Sequence, residues 1–457
     1  MMLKRGSWRT RFGFYLLAVG SACGLGNLWR FPYVVGENGG GAFILLYVFL
    51  ALAVGAPLLI AELMLGKNTR RSVIVATDVM GQKAKLPLRW VGRLAVLVTV
   101  VVFSYYAVIS GWVLHFMTQF FISLFLDVEG AANKTNLAAL MSNGWLQLML
   151  ASAHILITVV VVLKGVQEGL EKWISYMMPL FAALVAILLF KSFSLPSTPE
   201  VMRFLFYPDF SKLTLSSLGH ALGHVFFTLS VGFGTMVTFG SYLREEDHVP
   251  TAGFRVALVD TLISLLAVVM IFPVAFQASN VPLTDPALMF EVLPRYLLGI
   301  PGGALFGLAF FVCLYLAALN ASIGLLEVVV SNLVDRNKKM ERQKATWLSG
   351  AAALALAILP ALSSSVLKSV RINGRSLIES LDSLLINWLL PLVALGILWA
   401  FYKGTSEKEK ETSFIDREKF VSYSMYSHWI VILKWVAPAV ILIGFLLQVV
   451  ALFQNVY

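Results

Sequence analysis

The sequence GSACGLGN at residues 20–27 interrupts an apolar stretch that is otherwise long enough to cross a membrane. A similar sequence, FTLSVGFG at residues 227–234, interrupts a later apolar stretch. Both place glycines and small polar residues in mid-run, where each Gly costs a helix about 1 kcal/mol. Unwound backbone persists in hydrocarbon only where protein or a water-filled cavity satisfies its polar groups. One such stretch fits a helix packing face, but two predict discontinuous helices that share a site.

The composition around these stretches is that of a membrane protein. Hydrophobic residues make up 59% of the 457 residues, charged residues make up 13%, and the mean hydropathy is +0.82. Soluble domains carry about a quarter charged residues, so a soluble globular protein is excluded. The first apolar segment is too long and too polar at its centre for a signal peptide. We predict an all-α polytopic membrane protein.

Apolar runs that can cross about 30 Å of hydrocarbon recur along the whole chain. Their predicted positions are residues 10–37, 41–66, 88–124, 146–163, 166–190, 214–242, 255–279, 301–335, 346–365, 376–401 and 427–454. The sequence therefore predicts eleven membrane spans, and residues 20–27 and 227–234 fall within the first and the sixth.

The net charge of +10 is explained by topology. With the N-terminus in the cytoplasm, 25 of the 35 Lys and Arg residues lie in segments on the cytoplasmic side, as the positive-inside rule requires. Eleven spans then place the C-terminus outside. Nucleic-acid binding is not expected. Cys23 and Cys313 both lie in apolar segments, so we expect two buried thiols and no disulfide.

Several motifs together resemble one family over nearly the whole chain. They are Trp8, Arg11, GLGNLWRFPYVVGENGGGAF at residues 24–43, Pro57, Glu62 and FFTLSVGFG at residues 226–234. This set closely resembles the neurotransmitter:sodium symporter family, and specifically its amino-acid-transporting bacterial members. The resemblance implies two five-helix inverted repeats, residues 10–190 and 214–401, and one extra helix at 427–454. It also implies a bacterial inner membrane, with the lipid bilayer as a partner, and sodium-coupled amino acid import by alternating access.

The helix breaks suggest how an amino acid would bind. A free helix end presents unpaired N–H groups and a partial positive charge, which together hold a carboxylate. The resemblance places the substrate carboxylate at the amides near Leu25 and Gly26, beside the Tyr106 hydroxyl. It places the substrate ammonium at the carbonyls of Phe227 and Ser230.

Position 24 bears on the substrate class. Monoamine-transporting relatives carry Asp there, and Gly24 therefore indicates a substrate that supplies its own carboxylate. The resemblance gives the remaining pocket as Ser21, Ala22, Val102, Phe227, Ser230, Phe233, Ala321 and Leu325. This set is apolar and moderately roomy, which favours a neutral hydrophobic or aromatic amino acid.

Sodium is a hard cation and prefers oxygen ligands. By the resemblance, the first sodium site consists of the Ala22 carbonyl, Asn27, Thr228 and Asp260. The substrate carboxylate would be a further ligand, so each bound species would raise the affinity of the other by the same factor. Asp260 is a carboxylate within a span, and such residues are costly and usually functional.

A second sodium site is implied at the carbonyls of Gly20, Cys23 and Ala317, with side chains of the eighth span. Here the sequence departs from the family. Relatives have hydroxyls or a carboxylate where this chain has Asn320 and Ala321. Asn320 offers one carbonyl oxygen and Ala321 offers none. Coupling to one sodium ion and coupling to two both stay open.

Chloride is expected to be dispensable. Tyr47, Thr228 and Ser264 match the environment in which animal relatives hold chloride, but Asp260 already supplies a fixed negative charge nearby. His224 stands where Gln is usual in the family. We interpret it as a hydrogen-bonded packing residue, with proton carrier as the alternative.

An outer gate is predicted from Arg30 and Asp382, under a lid formed by Phe233 and Tyr106. The alternative for the charged pair is a surface ion pair worth under about 1 kcal/mol. Glu62 is expected to accept hydrogen bonds from the unwound part of the first helix.

An inner gate is predicted from Arg5 and Asp335, near Trp8, Ser241 and Tyr242. The same alternative, a weak surface ion pair, applies to Arg5 and Asp335.

The sequence contains no nucleotide-binding P-loop, His/Cys metal cluster or nucleophile triad. An ATP-driven pump or an enzyme is therefore not expected. Two alternatives stay open. The first is transport of another amino acid-like solute, such as a betaine or a γ-amino acid. The second is a channel or a substrate sensor on the same scaffold.

Overall fold

The computed structural model describes residues 8, 10–125, 136–279, 288–337, 339–372, 374–416 and 421–454. The regular secondary structure of these residues is entirely helical. Short turns join the helices, and two isolated β-bridges also occur. Within the same residues, nine helices are long and apolar enough to cross a membrane, or ten if one bent pair is counted as a single span. The predicted all-α polytopic fold is confirmed.

Nine of the predicted spans are helices that cross in one piece. In chain order they are Gly41–Thr69 (span 2), Arg89–Ser123 (span 3), Gly144–Leu163 (span 4), Val166–Phe193 (span 5), Val249–Ala278 (span 7), Gly303–Arg336 (span 8), Arg342–Leu362 (span 9), Leu377–Gly404 (span 10) and Tyr423–Val450 (span 11). Each lies within a few residues of its predicted position.

The first and sixth predicted spans are broken, as the glycine-rich sequences indicated. Span 1 consists of Phe12–Ala22 and Gly26–Glu37, whose axes differ by 42°. Span 6 consists of Leu215–Thr228 and Thr235–Gly240, separated by six non-helical residues. Neither half of span 6 is long enough to cross a membrane alone. Helix length therefore identifies nine or ten spans among the described residues, where the sequence predicts eleven.

Inside the spans lie π-helical turns that the sequence does not predict. They are Gly26–Arg30, Ala51–Gly55, Val166–Glu171, Leu385–Leu389 and Ile432–Val436. In spans 1, 2 and 10, the α-helix that follows the π-turn has Pro within its first two positions. Proline lacks an N–H group and clashes with the carbonyl four residues earlier, so the wider turn accommodates the ring.

Short helices connect the spans. They are Val73–Ala84, Leu137–Ser142, Thr198–Phe206, Leu288–Leu298 and Glu407–Phe414. The two longest spans, 3 and 8, pack against each other and against spans 4 and 9. The broken spans lie beside this group, where the second half of span 6 packs on span 2.

Two glycines allow the second half of span 6 to touch span 2 backbone to backbone. A Cβ atom on Gly66 would lie 1.9 Å from the Val237 carbonyl oxygen, and one on Gly240 would lie 2.3 Å from the Leu63 carbonyl oxygen. Small residues that let backbones approach closely are typical of membrane helix contacts. This reciprocal contact fixes the position of the short helix after the break.

We expect Gly66→Ala to destabilise the protein, because the new methyl group must displace the Val237 backbone. Overpacking of this kind costs roughly 1–3 kcal/mol. Gly299→Ala is the matched control, because the nearest atom to its new Cβ would lie 3.4 Å away. Thermal unfolding in detergent should show a lower melting temperature for Gly66→Ala alone. Equal melting temperatures for the two variants would contradict the close contact.

Candidate functional site

The break in span 1 leaves a short non-helical segment around Gly24. The Cys23 N–H still closes the helix on the Val19 carbonyl, at 2.7 Å. The Gly24 N–H donates to the Ala22 carbonyl at 2.9 Å and also to Asn27 Oδ1 at 3.1 Å. The next amide, Leu25 N–H, donates to the Tyr106 hydroxyl at 2.8 Å. Tyr106 of span 3 therefore contacts the non-helical segment of span 1.

The break in span 6 runs from Leu229 to Gly234. Gly232 and Gly234 have φ angles of 89° and 76°, and Ser230 has φ 53° although it is not glycine. A non-glycine residue in this region is uncommon. The Ser230 hydroxyl donates to the Ser21 carbonyl oxygen at 3.3 Å, so the two breaks contact each other.

Glu62 has a different partner from the one predicted. Its Oε1 accepts a hydrogen bond of 2.7 Å from the Gly232 N–H, in the break of span 6 and not in that of span 1. From the other side, the Thr99 hydroxyl donates to the Phe233 carbonyl at 2.8 Å. Spans 2 and 3 thus satisfy the unwound backbone of span 6.

A small cavity lies between the two breaks. It is lined by Ser21, Ala22, Gly24, Gly26, Tyr106, Phe227, Thr228, Ser230, Phe233, Ala321 and Leu325. The cavity volume is about 20 Å³, which is room for one or two water molecules. An amino acid therefore fits only when the lining side chains move apart.

Most of the residues predicted to bind substrate line this cavity. Leu25 and Val102 do not line it, and both side chains are fully buried in the surrounding core. Thr228, predicted as a sodium ligand, does line it. The Phe227 ring lies between the two predicted lid residues, with ring centroids 6.5 Å from Tyr106 and 6.1 Å from Phe233.

The predicted first sodium site is a buried polar cluster. Asn27 Nδ2 donates to Asp260 Oδ1 at 2.7 Å and lies 2.8 Å from Ser264 Oγ. Asp260 is fully buried, and its Oδ2 has no hydrogen-bond partner among the described residues. Thr228 donates to carbonyls of its own helix. Ligation by Asn27 would require its Oδ1, which here accepts from Gly24.

The residues compared with a chloride site lie beside this cluster. The Tyr47 hydroxyl is 3.0 Å from Ser264 Oγ. The His224 ring stacks on Phe31 with centroids 4.9 Å apart, and its Nδ1 lies 3.5 Å from Arg30 Nη1. His224 Nε2 has no partner among the described side chains and backbone. His224 therefore lies between the Asn27–Asp260 cluster and the Arg30–Asp382 pair.

The predicted outer pair is present. Arg30 Nη2 lies 3.5 Å from Asp382 Oδ2, and the Tyr105 hydroxyl donates to Asp382 Oδ1 at 3.1 Å. Arg30 is almost fully buried, whereas the Asp382 side chain is 21% exposed. The Asn387 amide oxygen accepts a further bond from Arg30 at 3.5 Å. This cluster forms the floor of a larger cavity of about 360 Å³.

The predicted inner gate is only partly described. Arg5 lies outside the described residues. Asp335 Oδ2 accepts a hydrogen bond of 2.7 Å from the Ser72 N–H. The Trp8 ring meets the Tyr242 ring edge-on at 5.5 Å. Ser241 donates to the Thr238 carbonyl of its own helix at 2.5 Å.

The second predicted cation site has its residues buried in the core. Gly20, Cys23, Ala317 and Asn320 are buried, and Ala321 faces the cavity with its methyl group. No group of three or more His, Cys, Asp or Glu side chains suited to a metal ion occurs in the described parts of the chain.

Comparison with known proteins places this architecture in a family. The sequence profile of the sodium:neurotransmitter symporter family matches residues 5–125 and 118–457. This chain belongs to the sodium:neurotransmitter symporter family. Family membership confirms the resemblance and the predicted sodium-dependent transport class, and symporters of this class are not enzymes.

Two relatives and one solved structure are similar to this chain over nearly its full length. An uncharacterised sodium-dependent transporter of Bacillus subtilis is 32% identical over 440 residues, covering 96% of each chain. Another, from Haemophilus influenzae, is 31% identical and covers 97% of this chain and 98% of its own. The crystal structure of MhsT in complex with L-phenylalanine matches with a TM-score of 0.87 at 32% identity, covering 97% of this chain and 99% of that one.

The symporter has a buried ion pair near Trp8 that the sequence does not predict. Glu327 of span 8 is fully buried and pairs with Arg342 at the start of span 9, at 2.5 and 3.1 Å. The Tyr242 hydroxyl donates to the same carboxylate at 2.7 Å, and Arg342 also donates to the Val162 carbonyl at 3.2 Å. Spans 4, 6, 8 and 9 therefore meet at Glu327, next to Trp8. A carboxylate within span 8 was the available signal.

A second contact missed by the sequence analysis holds the start of span 1. Glu171 Oε1 accepts hydrogen bonds from the Thr10 N–H at 3.1 Å and from the Thr10 hydroxyl at 3.0 Å. A Cβ on Gly13 would lie 2.1 Å from the same oxygen, so Gly13 allows the close approach. Thr10 in turn caps the helix by accepting from the Gly13 N–H. Span 5 thus clamps the inner half of span 1.

We expect Glu327→Gln to loosen the end of the bundle that carries Trp8. The amide can still accept from Tyr242 but loses the ion pair with Arg342, and removing one charge of a buried pair costs roughly 3–5 kcal/mol. The native Cys23 thiol, in a Cys313→Ala background, reports opening through its rate of alkylation. We predict that the variant reacts at least about tenfold faster. A tenfold change needs only about 1.4 kcal/mol of the lost stabilisation.

Lys172→Ala is the control, because it removes an exposed pair with Glu168 in which both side chains are 59% exposed. Such pairs contribute little, so its alkylation rate should match that of the parent. Equal rates for Glu327→Gln and the parent would show that the Glu327 pair does not hold this end closed.

Proposed function

We propose that this symporter imports neutral α-amino acids together with sodium. The observation that carries the proposal is the meeting of two helix breaks at one cavity, with the buried carboxylate of Asp260 in hydrogen-bond contact with Asn27 beside it. Freed N–H groups of span 1 provide a place for the substrate carboxylate. Freed carbonyls of span 6 provide a place for its ammonium group.

Packing around Gly24 supports an amino acid over an amine. A Cβ at this position would lie 2.8 Å from the Tyr106 hydroxyl and 2.9 Å from Ala321 Cβ. A side-chain carboxylate cannot be accommodated there without moving Tyr106. The negative charge opposite the amides of span 1 must then come from the ligand, which favours substrates that carry a carboxylate.

The lining favours an apolar side chain. Phe227, Phe233, Ala321 and Leu325 present carbon atoms to the cavity, and burial of apolar surface provides about 25 cal/mol per Å². The structural relative MhsT was crystallised with L-phenylalanine, which agrees with a hydrophobic or aromatic substrate. A betaine or a γ-amino acid is the alternative within the same class of solute.

Coupling follows from a shared ligand. We assign the first sodium ion to the Ala22 carbonyl, Asn27, Thr228 and Asp260, with the substrate carboxylate completing the shell. A ligand common to both species makes their binding energies interdependent, and the dependence is reciprocal. A channel or a sensor on this scaffold would bind the same solutes but would not accumulate them.

We place the protein in a bacterial inner membrane with the N-terminus in the cytoplasm, on the distribution of Lys and Arg along the sequence. Import then requires the Arg30–Asp382 end to face outward. The Glu327–Arg342 end faces the cytoplasm in this arrangement.

The substrate class is tested by comparing amino acids with their decarboxylated amines. Neutral α-amino acids should stabilise the purified protein in sodium and not in potassium, because bound ligand stabilises the folded state. Tyramine and isobutylamine should bind at least about a hundredfold more weakly than tyrosine and valine, since a buried charge partner is lost. Comparable affinities for amine and amino acid would contradict binding of a carboxylate at the span 1 break.

The ion requirement is tested by replacing chloride with gluconate. We expect wild-type uptake to persist, because Asp260 supplies the fixed negative charge next to Asn27 and Ser264. Asp260→Asn keeps one ligating oxygen but loses the charge, so its sodium affinity should fall and chloride should partly restore it. Collapse of wild-type uptake in gluconate would show that the Tyr47–Ser264 pocket is a working chloride site.

A further inference from the structure

The inner half of span 1 meets spans 5 and 8 at a buried junction of Gly20, Met178 and Asn320. A Cβ on Gly20 would lie 3.2 Å from Met178 Sδ, so the sulfur packs against the main chain of span 1. The same sulfur accepts a hydrogen bond of 3.4 Å from Asn320 Nδ2. Asn320 is fully buried. A thioether and an amide therefore join the three spans.

Few oxygen atoms are available at this junction for a cation. The family resemblance assigns a second sodium to the carbonyls of Gly20, Cys23 and Ala317. Asn320 can add one amide oxygen, and Ala321 ends in a methyl group. Hard cations such as calcium and magnesium take about six oxygen ligands, and three carbonyls with one amide oxygen leave this set short.

The chemistry of the two side chains present also disfavours sodium. The thioether of Met178 is a soft ligand, suited to soft metals and not to hard ones. The amide nitrogen of Asn320 carries a partial positive charge and is directed at that sulfur. On this side of the junction, a cation would face a hydrogen-bond donor and not an acceptor.

We infer that this symporter lacks a working second sodium site and moves one sodium ion with each substrate molecule. The inference rests on the proposed sodium-coupled function and specifies its stoichiometry. The contact of Asn320 with Met178 holds span 1 to spans 5 and 8 without an ion. Asp260 then belongs to the one site through which sodium acts on transport.

The amide oxygen of Asn320 is an observation against this inference, and the test is built on it. Asn320 Oδ1 is buried and has no hydrogen-bond partner among the described residues. If it ligated sodium with the three carbonyls, a second ion would bind at a site that does not include Asp260. Removing Asp260 therefore separates the two cases.

The experiment measures equilibrium binding of radioactive sodium to the purified full-length protein with saturating substrate, and the sodium-to-substrate flux ratio in proteoliposomes. We expect one sodium per protein and a flux ratio of one. Asp260→Ala should abolish sodium binding entirely. Two sodium ions in the wild type, or one remaining in Asp260→Ala, would overturn the inference while leaving sodium-coupled transport intact.

The absence of any sodium binding by the wild type would instead overturn the proposed function together with this inference. A gain-of-site variant provides the converse test. Asn320→Thr combined with Ala321→Ser restores two hydroxyls, and we expect this variant to bind two sodium ions. If the double variant binds one ion and melts at the wild-type temperature, missing oxygen ligands do not explain the stoichiometry, and the inference is wrong.

Discussion

Two helices stop in the middle of this bundle, and the backbone groups freed there must find partners because hydrocarbon offers none. The Gly232 amide donates to Glu62, the Phe233 carbonyl accepts from Thr99, and the Leu25 amide donates to Tyr106. These partners come from spans 2 and 3, which therefore fix the shape of the breaks. A small cavity lies between the two breaks. The polar backbone that makes a broken helix costly also makes this cavity the candidate binding site.

The same constraint relates the site to the two ends of the protein. Arg30 follows the break of span 1 on one side, and Thr10 starts the helix that precedes it on the other. Asp382 contacts Arg30 at one end, and at the other Glu171 contacts Thr10 and Glu327 pairs with Arg342. Any movement of the half-helices around the cavity must break one of these sets of contacts. In the proposed function, alternating access would follow from which set is intact.

The sequence predicted the features that depend on local composition. The breaks and the span positions could be predicted because glycine pairs and long apolar runs lie within short stretches. Arg30 and Asp382 are 352 residues apart, and only the family resemblance paired them. Features set by tertiary packing could not be predicted from local composition. Glu62 was assigned to the wrong break, since nothing in span 2 distinguishes spans 1 and 6 as partners. Glu327 and Arg342 are 15 residues apart on two spans, and nothing in the sequence pairs them.

The central claim is that the geometry at the two breaks couples a sodium gradient to amino acid uptake. The most direct measurement is the concentration of a labelled neutral amino acid inside proteoliposomes under an inward sodium gradient. The account predicts transient accumulation above the external concentration, which disappears when a sodium ionophore dissipates the gradient. Entry that only equalises the two concentrations, with or without the ionophore, would identify a channel and contradict the account.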